Sequence, residues 1–217
     1  MNTLFELITN PFNNLNKVFR YSNTTLMERE STAEHEILMQ CIALYLYDKY
    51  PFLNIRDICY RILVHDMDEA LAGISRKGII SPVGDIPRDI KYYNDDTYYT
   101  IKKVVDSNIQ NNIHNKKIFE DINNAKGDDS FEAVVVSILD MLQSIIKLRR
   151  ECYLQSFDYV ILYRLDECLE NYNKRVTEYA YAFDTKDKKK LHKEFKNIYT
   201  ELIKEVKKQF KDKRIDK

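Results

Sequence analysis

Glycine and proline are scarce, with four of each in 217 residues. A doubly wound sheet needs many tight turns, and a glycine-rich phosphate loop needs clustered glycines. Gly73, Gly78, Gly84 and Gly127 are scattered, and neither G-x-x-x-x-G-K-[ST] nor G-x-G-x-x-G occurs. If the chain handles phosphate, it must do so with side chains or a metal. Net charge is also missing, because 34 Lys and Arg balance 34 Asp and Glu. A charge-neutral chain gives no whole-molecule argument for nucleic-acid binding, although local patches could still exist, and no stable nucleic-acid complex is expected. The four cysteines, Cys41, Cys59, Cys152 and Cys168, form no C-x-x-C pair and sit among apolar residues. That predicts reduced thiols in the core and a reducing compartment. No segment approaches ~20 uninterrupted apolar residues. Residues 1–11 lack the basic and apolar regions of a signal peptide. The expectation is a cytoplasmic protein with no membrane partner.

What is present is apolar residues at helical spacing. The apolar fraction of 44% is enough for a sizeable core in one domain. Residues 2–20 carry a helical pattern broken near Pro11, and 21–30 look like a loop. Ser31-Thr32-Ala33-Glu34 matches a capping box. The helix after it is predicted to reach about Tyr50, where Pro51 ends it. Its apolar spacing runs through Ile37, Cys41 and Leu44, and through Leu38, Ile42 and Tyr45. A second helix is predicted over 54–72, with Ile55, Cys59, Ile62 and Leu63 inward. Residues 73–88 hold three of the glycines and two of the prolines and read as a loop, with Pro87 suited to a first helical turn. Helical pattern resumes to about Asn112, and 111–130 suggest a short helix between loops. The stretch AVVVSILDMLQSII marks a central buried helix over about 129–154. A Tyr-rich helix follows over 157–183. The Lys-rich tail places Leu191, Phe195, Ile198, Leu202 and Val206 on one face, as a solvated helix docked by one side would.

Chemistry shows where polar residues interrupt these patterns. His65-Asp66 breaks the inward stripe of the second helix. Asp66 follows Ile62 by four, and a buried carboxylate must be paired or metal-bound. Glu69 lies one turn on and shares the same broad face. Asp140 interrupts the most apolar helix of all, and Lys147 and Arg149 lie too far along it to reach that acid easily. His35 lies in the first turn of its own helix. Imidazole and carboxylate in this combination suit a divalent cation such as Mn²⁺, Co²⁺, Fe²⁺ or Zn²⁺. Such an ion could hold a water, lower its pKa and screen phosphate charge. The alternative is a His–Asp hydrogen bond, with the buried acids held by Arg or Lys.

Glu34-His35, His65-Asp66-Met67-Asp68-Glu69, Gly84-Asp85-Ile86-Pro87 and Asp140, in that order, resemble the HD-domain phosphohydrolases, and most closely the bacterial 5′-deoxynucleotidases. The resemblance runs from about Arg20 to Lys147. It implies an all-α HD-domain helical bundle, which is assigned to 1–183; the Lys-rich 184–217 lies outside the resemblance and is read as an additional amphipathic helix packed on the bundle or extending from it. It implies one divalent ion, with Mg²⁺ added to the candidates, on His35, His65, Asp66 and Asp140. Glu69 and Asp85 become the catalytic candidates, acting on the attacking water or on substrate position. Arg20, Tyr21, Arg88 and Lys91 become the substrate-binding candidates, Arg20 through bidentate contact with phosphate. Residues 73–83 are an insertion relative to that family, and Tyr21 stands where it tends to have Trp. The implied reaction is hydrolysis of a 5′-deoxynucleoside monophosphate to deoxynucleoside and phosphate. A deoxynucleoside triphosphatase using the same site, or a non-catalytic nucleotide-binding module, are the alternatives. The resemblance also allows a homodimer.

Overall fold

The computed structural model describes residues 20, 25–67, 120–121, 124–125, 129–155 and 158–210. The expectations that fall on 1–19, 21–24, 68–119 and the last seven residues lie outside these. The described residues are helical and contain no strand, as an all-α fold requires. The helices are α1 (Thr32–Lys49), α2 (Ile55–Val64), α3 (Phe131–Leu154), α4 (Tyr159–Glu178) and α5 (Lys186–Phe210). A 3₁₀ turn at Tyr179–Ala182 precedes α5. No helix among the described residues is long and apolar enough to cross a membrane.

Each start has a local cause. The Ser31–Glu34 capping box is reciprocal. Ser31 N–H donates to Glu34 Oε2 at 2.8 Å, and Glu34 N–H donates to Ser31 Oγ at 3.3 Å. Asn54 caps α2 by accepting from Asp57 N–H at 3.3 Å. Ser130 caps α3 through Ala133 N–H at 3.2 Å, and Asp158 caps α4 through Val160 N–H at 2.8 Å.

The described residues fall into two compact units. The first takes in Arg20, Arg29–Leu38, 59–67 and the described residues at 120–125. Within it Ile62, Val64 and Met67 are buried, Tyr60 Oη donates to Asp121 at 2.7 Å, and Arg61 donates to the Asn124 carbonyl. The second takes in Leu26–Glu28, Met39–Ile58 and the described residues from 129 onward. Here α3 packs on α4, and α4 on α5. The all-round apolar character of α3 is matched by an unbroken buried run from Ala133 to Asp140. The Lys-rich α5 buries Leu191, Phe195, Leu202 and Val206, with Ile198 on the shoulder. At roughly 1.5–3 kcal/mol for a fully buried side chain, that stripe outweighs the few tenths expected of each exposed Lys–acid pair. Tyr172 Oη, deep in this unit, donates to the Phe195 carbonyl at 2.9 Å.

Three expectations are corrected. First, the apolar positions chosen for α1 face outward: Ile37 is 61% exposed and Tyr45 69%, and Leu38, Cys41 and Leu44 are exposed too. The buried face is Thr32, His35, Glu36, Met39, Ala43 and Leu46. Second, α2 stops at Val64, and His65-Asp66 lies in a turn before Met67. The His65 ring takes the Ile62 carbonyl at 2.6 Å, the acceptor that Asp66 N–H needs for the helix to continue. Third, only Cys152 of the cysteines is buried, and burial pushes its thiol up to about 12; Cys59 and Cys168 are half-buried.

In the second unit, Glu151 is fully buried on α3 and holds the 26–28 segment. Met27 N–H and Glu28 N–H donate to its carboxylate at 2.9 and 3.1 Å, Gln155 Nε2 donates at 3.1 Å, and Lys147 Nζ pairs with it at 3.0 Å. Lys147 also donates to the Glu28 carbonyl at 2.6 Å, so its ammonium is engaged at the far end of α3. Burial alone would raise the Glu151 pKa, but these donors outweigh it and hold the carboxyl below its ordinary value. A depressed carboxyl pKa stabilises the fold above the unfolded value and loses that stabilisation as pH falls through the folded one. Glu151→Gln is expected to cost about 3 kcal/mol at pH 7. Urea denaturation should show the deficit shrinking below about pH 4. A deficit unchanged by acid would mean the charge of Glu151 is not what holds the loop.

Candidate metal centre

The first unit brings three of the predicted ligands together. His35 comes from the first turn of α1, and His65 and Asp66 come from the turn after α2; all three are buried, Asp66 to 1% exposure. His65 Nε2 lies 3.2 Å from Asp66 Oδ2, and His35 Nε2 lies 3.9 Å from the same oxygen. One ligand atom from each residue lies within 4.8 Å of the others. The ring centroids of His35 and His65 are 5.5 Å apart.

The capping box and the α2 break each have a role here. The box fixes where α1 begins, and so where His35 points. At the break, a backbone carbonyl can only accept, so His65 Nδ1 must be the protonated nitrogen toward Ile62. A ring that carries only that proton presents an Nε2 lone pair to the Asp66 carboxylate. Two acceptors at 3.2 Å repel unless a proton or a cation lies between them. A first-row divalent ion with bonds of about 2.1 Å holds neighbouring ligands about 3–4 Å apart. The observed separations and the imidazole–carboxylate chemistry fit such an ion.

Arg20 joins the same oxygen. Its Nη1 donates to Asp66 Oδ2 at 3.2 Å, its Nε lies 4.0 Å from Glu30 Oε2, and its side chain is only 10% exposed. The basic partner that the sequence left open for Asp66 is therefore present.

Asp140 is buried on α3, in the second unit, while the three-residue group is complete within the first. Tyr21, Glu69, Asp85, Arg88 and Lys91 lie outside the described residues. Sequence reasoning passed over Glu30 and Glu36, both buried beside the site's sequence positions. For Glu30 a signal existed. It stands immediately before a capping serine, where a helix start ordinarily takes an apolar residue.

The fold and the site together define an all-helical protein with a buried imidazole–carboxylate centre. The chain belongs to the HD domain family, which matches residues 12–158. A crystal structure of an HD-domain phosphohydrolase from Listeria innocua is similar at TM-score 0.58 and 16% identity, covering 88% of this chain and 95% of that one. A conserved hypothetical protein from Pyrococcus furiosus is similar at TM-score 0.59 and 15% identity, covering 89% of this chain and 99% of that one. At these identities the likeness is one of fold. No curated protein matches the chain.

Asp66→Asn keeps the side-chain shape but removes the charge that would hold the ion. Calorimetry should give wild-type protein about one Mn²⁺ per chain, and the variant should bind it at least roughly 10-fold more weakly. The Mn²⁺-dependent rise in Tm should disappear with it. Wild-type affinity in the variant would take Asp66 out of the centre.

Proposed function

We propose that the protein is a metal-dependent phosphohydrolase acting on a nucleotide phosphate, with a 5′-deoxynucleoside monophosphate as substrate and deoxynucleoside plus phosphate as products. One observation carries this reading: two imidazoles and a carboxylate, from two chain segments about thirty residues apart, share one buried site that a guanidinium also enters. Membership of the HD domain family supports it, as does the fold shared with an HD-domain phosphohydrolase.

In this reading His35, His65 and Asp66 hold one divalent ion, with Asp140 as a fourth ligand. Bound there, the ion supplies positive charge for the phosphoryl oxygens and makes a water acidic enough to attack at neutral pH. The chain's own residues do the rest. The Nδ1–H bond to the Ile62 carbonyl keeps His65 in the tautomer that presents Nε2 to the site. Arg20 offers a planar set of donors to the phosphoryl group, next to where charge develops. Glu69 follows Asp66 by three residues and is assigned to accept a proton from the attacking water. Asp85 is assigned to position water or substrate, and Tyr21, Arg88 and Lys91 to line the substrate's side.

With Mn²⁺ or Co²⁺ added, purified protein should release orthophosphate from a panel of deoxynucleoside monophosphates. Glu69→Ala should retain the ion by calorimetry and lose about 10²–10⁴-fold in kcat. Full turnover in that variant removes Glu69 from the mechanism. Pyrophosphate or triphosphate from dATP, with no release from dAMP, replaces the monophosphate with a triphosphate substrate.

A further inference from the structure

We propose that Glu30 is the positioning residue for the Arg20 guanidinium, and that it thereby sets how tightly the site takes a phosphoryl group. The inference rests on the reading of Arg20 as the phosphate contact.

Glu30 is 5% exposed, and helix capping does not account for it. The Ser31–Glu34 box already satisfies the start of α1, and the position before the cap favours an apolar side chain. Two contacts instead tie Glu30 to Arg20. Arg20 N–H donates to the Glu30 carbonyl at 2.9 Å, which straps the backbone ahead of the helix to its entry. The Glu30 carboxylate then lies 4.0 Å from Arg20 Nε, at the edge of the guanidinium removed from its tip. Asp66 takes the tip, through Nη1. The Glu30 carboxylate is beyond hydrogen-bond reach of Nε, so it acts by charge: anions facing two edges bias the guanidinium toward one plane. A fixed plane is what bidentate recognition of a tetrahedral phosphoryl group needs.

The two physical effects of Glu30 have opposite signs. Its negative charge repels an incoming anion, so charge alone predicts that Glu30→Gln tightens phosphate binding. Positioning predicts that the same substitution weakens it. Glu30→Asp sharpens the contrast, because it keeps the charge and withdraws the carboxylate by one methylene.

The test is calorimetric binding of inorganic phosphate to the Mn²⁺-loaded full chain, for wild type, Arg20→Ala, Glu30→Gln, Glu30→Asp and the Arg20→Ala/Glu30→Gln double variant. Mn²⁺ affinity and circular dichroism are measured alongside. Both Glu30 variants are expected to weaken phosphate binding about tenfold while Mn²⁺ affinity moves less than about twofold. The double variant should bind no more weakly than Arg20→Ala, because the positioning effect of Glu30 runs through that side chain and its direct effect on the anion is repulsive. Tighter or unchanged binding in Glu30→Gln, or losses that add in the double variant, overturn the role of Glu30 while leaving Arg20 as the phosphate contact. Unchanged binding in Arg20→Ala overturns both. If Glu30→Gln fails to fold, Glu30→Asp alone decides, since charge accounting predicts no change for it.

Discussion

The structure of the site depends on one costly act, the burial of the Asp66 carboxylate. Leaving an ionised carboxyl without compensation in an apolar interior costs far more than any single packing contact returns. Three groups face one oxygen of that carboxylate: a guanidinium that donates to it at 3.2 Å, an imidazole nitrogen at 3.2 Å and a second at 3.9 Å. His65 donates its Nδ1–H to the Ile62 carbonyl, which leaves Nε2 as the ring atom that faces Asp66. The donor set is of the kind that could hold a divalent ion, which would add positive charge beside that oxygen.

That demand propagates into the backbone. His65 turns Nε2 toward the site with its other nitrogen on the Ile62 carbonyl, at the point where α2 ends. The segment before α1 is constrained from its own side, because Arg20 must stay beside Asp66 while the chain goes on to the capping box. The Arg20–Glu30 backbone bond does this within the first unit. Within the second unit, Glu151 and Lys147 fix the intervening 26–28 segment to α3, at the expense of burying another ion pair. Neither ion pair is needed to make helices. Both restrict where a short stretch of chain can go.

Much of this could be read from the residues alone, for physical reasons that differ by element. The Ser31–Glu34 box and the buried run of α3 were readable because each is local: a cap needs four residues, and an all-round apolar helix has no wrong face. The residue types of His35, His65 and Asp66 suggested a cation set, but the order of motifs was needed to favour it over a His–Asp hydrogen bond, since no periodicity says that positions thirty residues apart meet. Arg20 alone looks like surface charge; its burial follows from Asp66, which the chain supplies 46 residues later. Glu30 went unread because a single acid in a polar stretch looks solvated. The cysteines misled because apolar neighbours in sequence are not neighbours in space, as exposed Cys41 illustrates.

The misassigned face of α1 shows why functional helices resist pattern reading. Periodicity arguments assume that the inner face is the apolar one. On α1 the inner face must carry His35, with Thr32 and Glu36 buried around it, so that face is polar for its first turn. Ile37, Leu38, Leu44 and Tyr45 on the outer face then supply as much apolar character as Met39, Ala43 and Leu46 within, and the helix has almost no net amphipathicity. Choosing the more apolar stripe therefore selects the wrong side. On α2, where the polar pair comes after the last helical residue, the signal is only partly kept: Ile58 and Ile62 are fully buried, while Ile55, Cys59 and Leu63 of the predicted stripe are half-buried. A polar residue that takes a core position inside a helix weakens the periodic signal that would locate it.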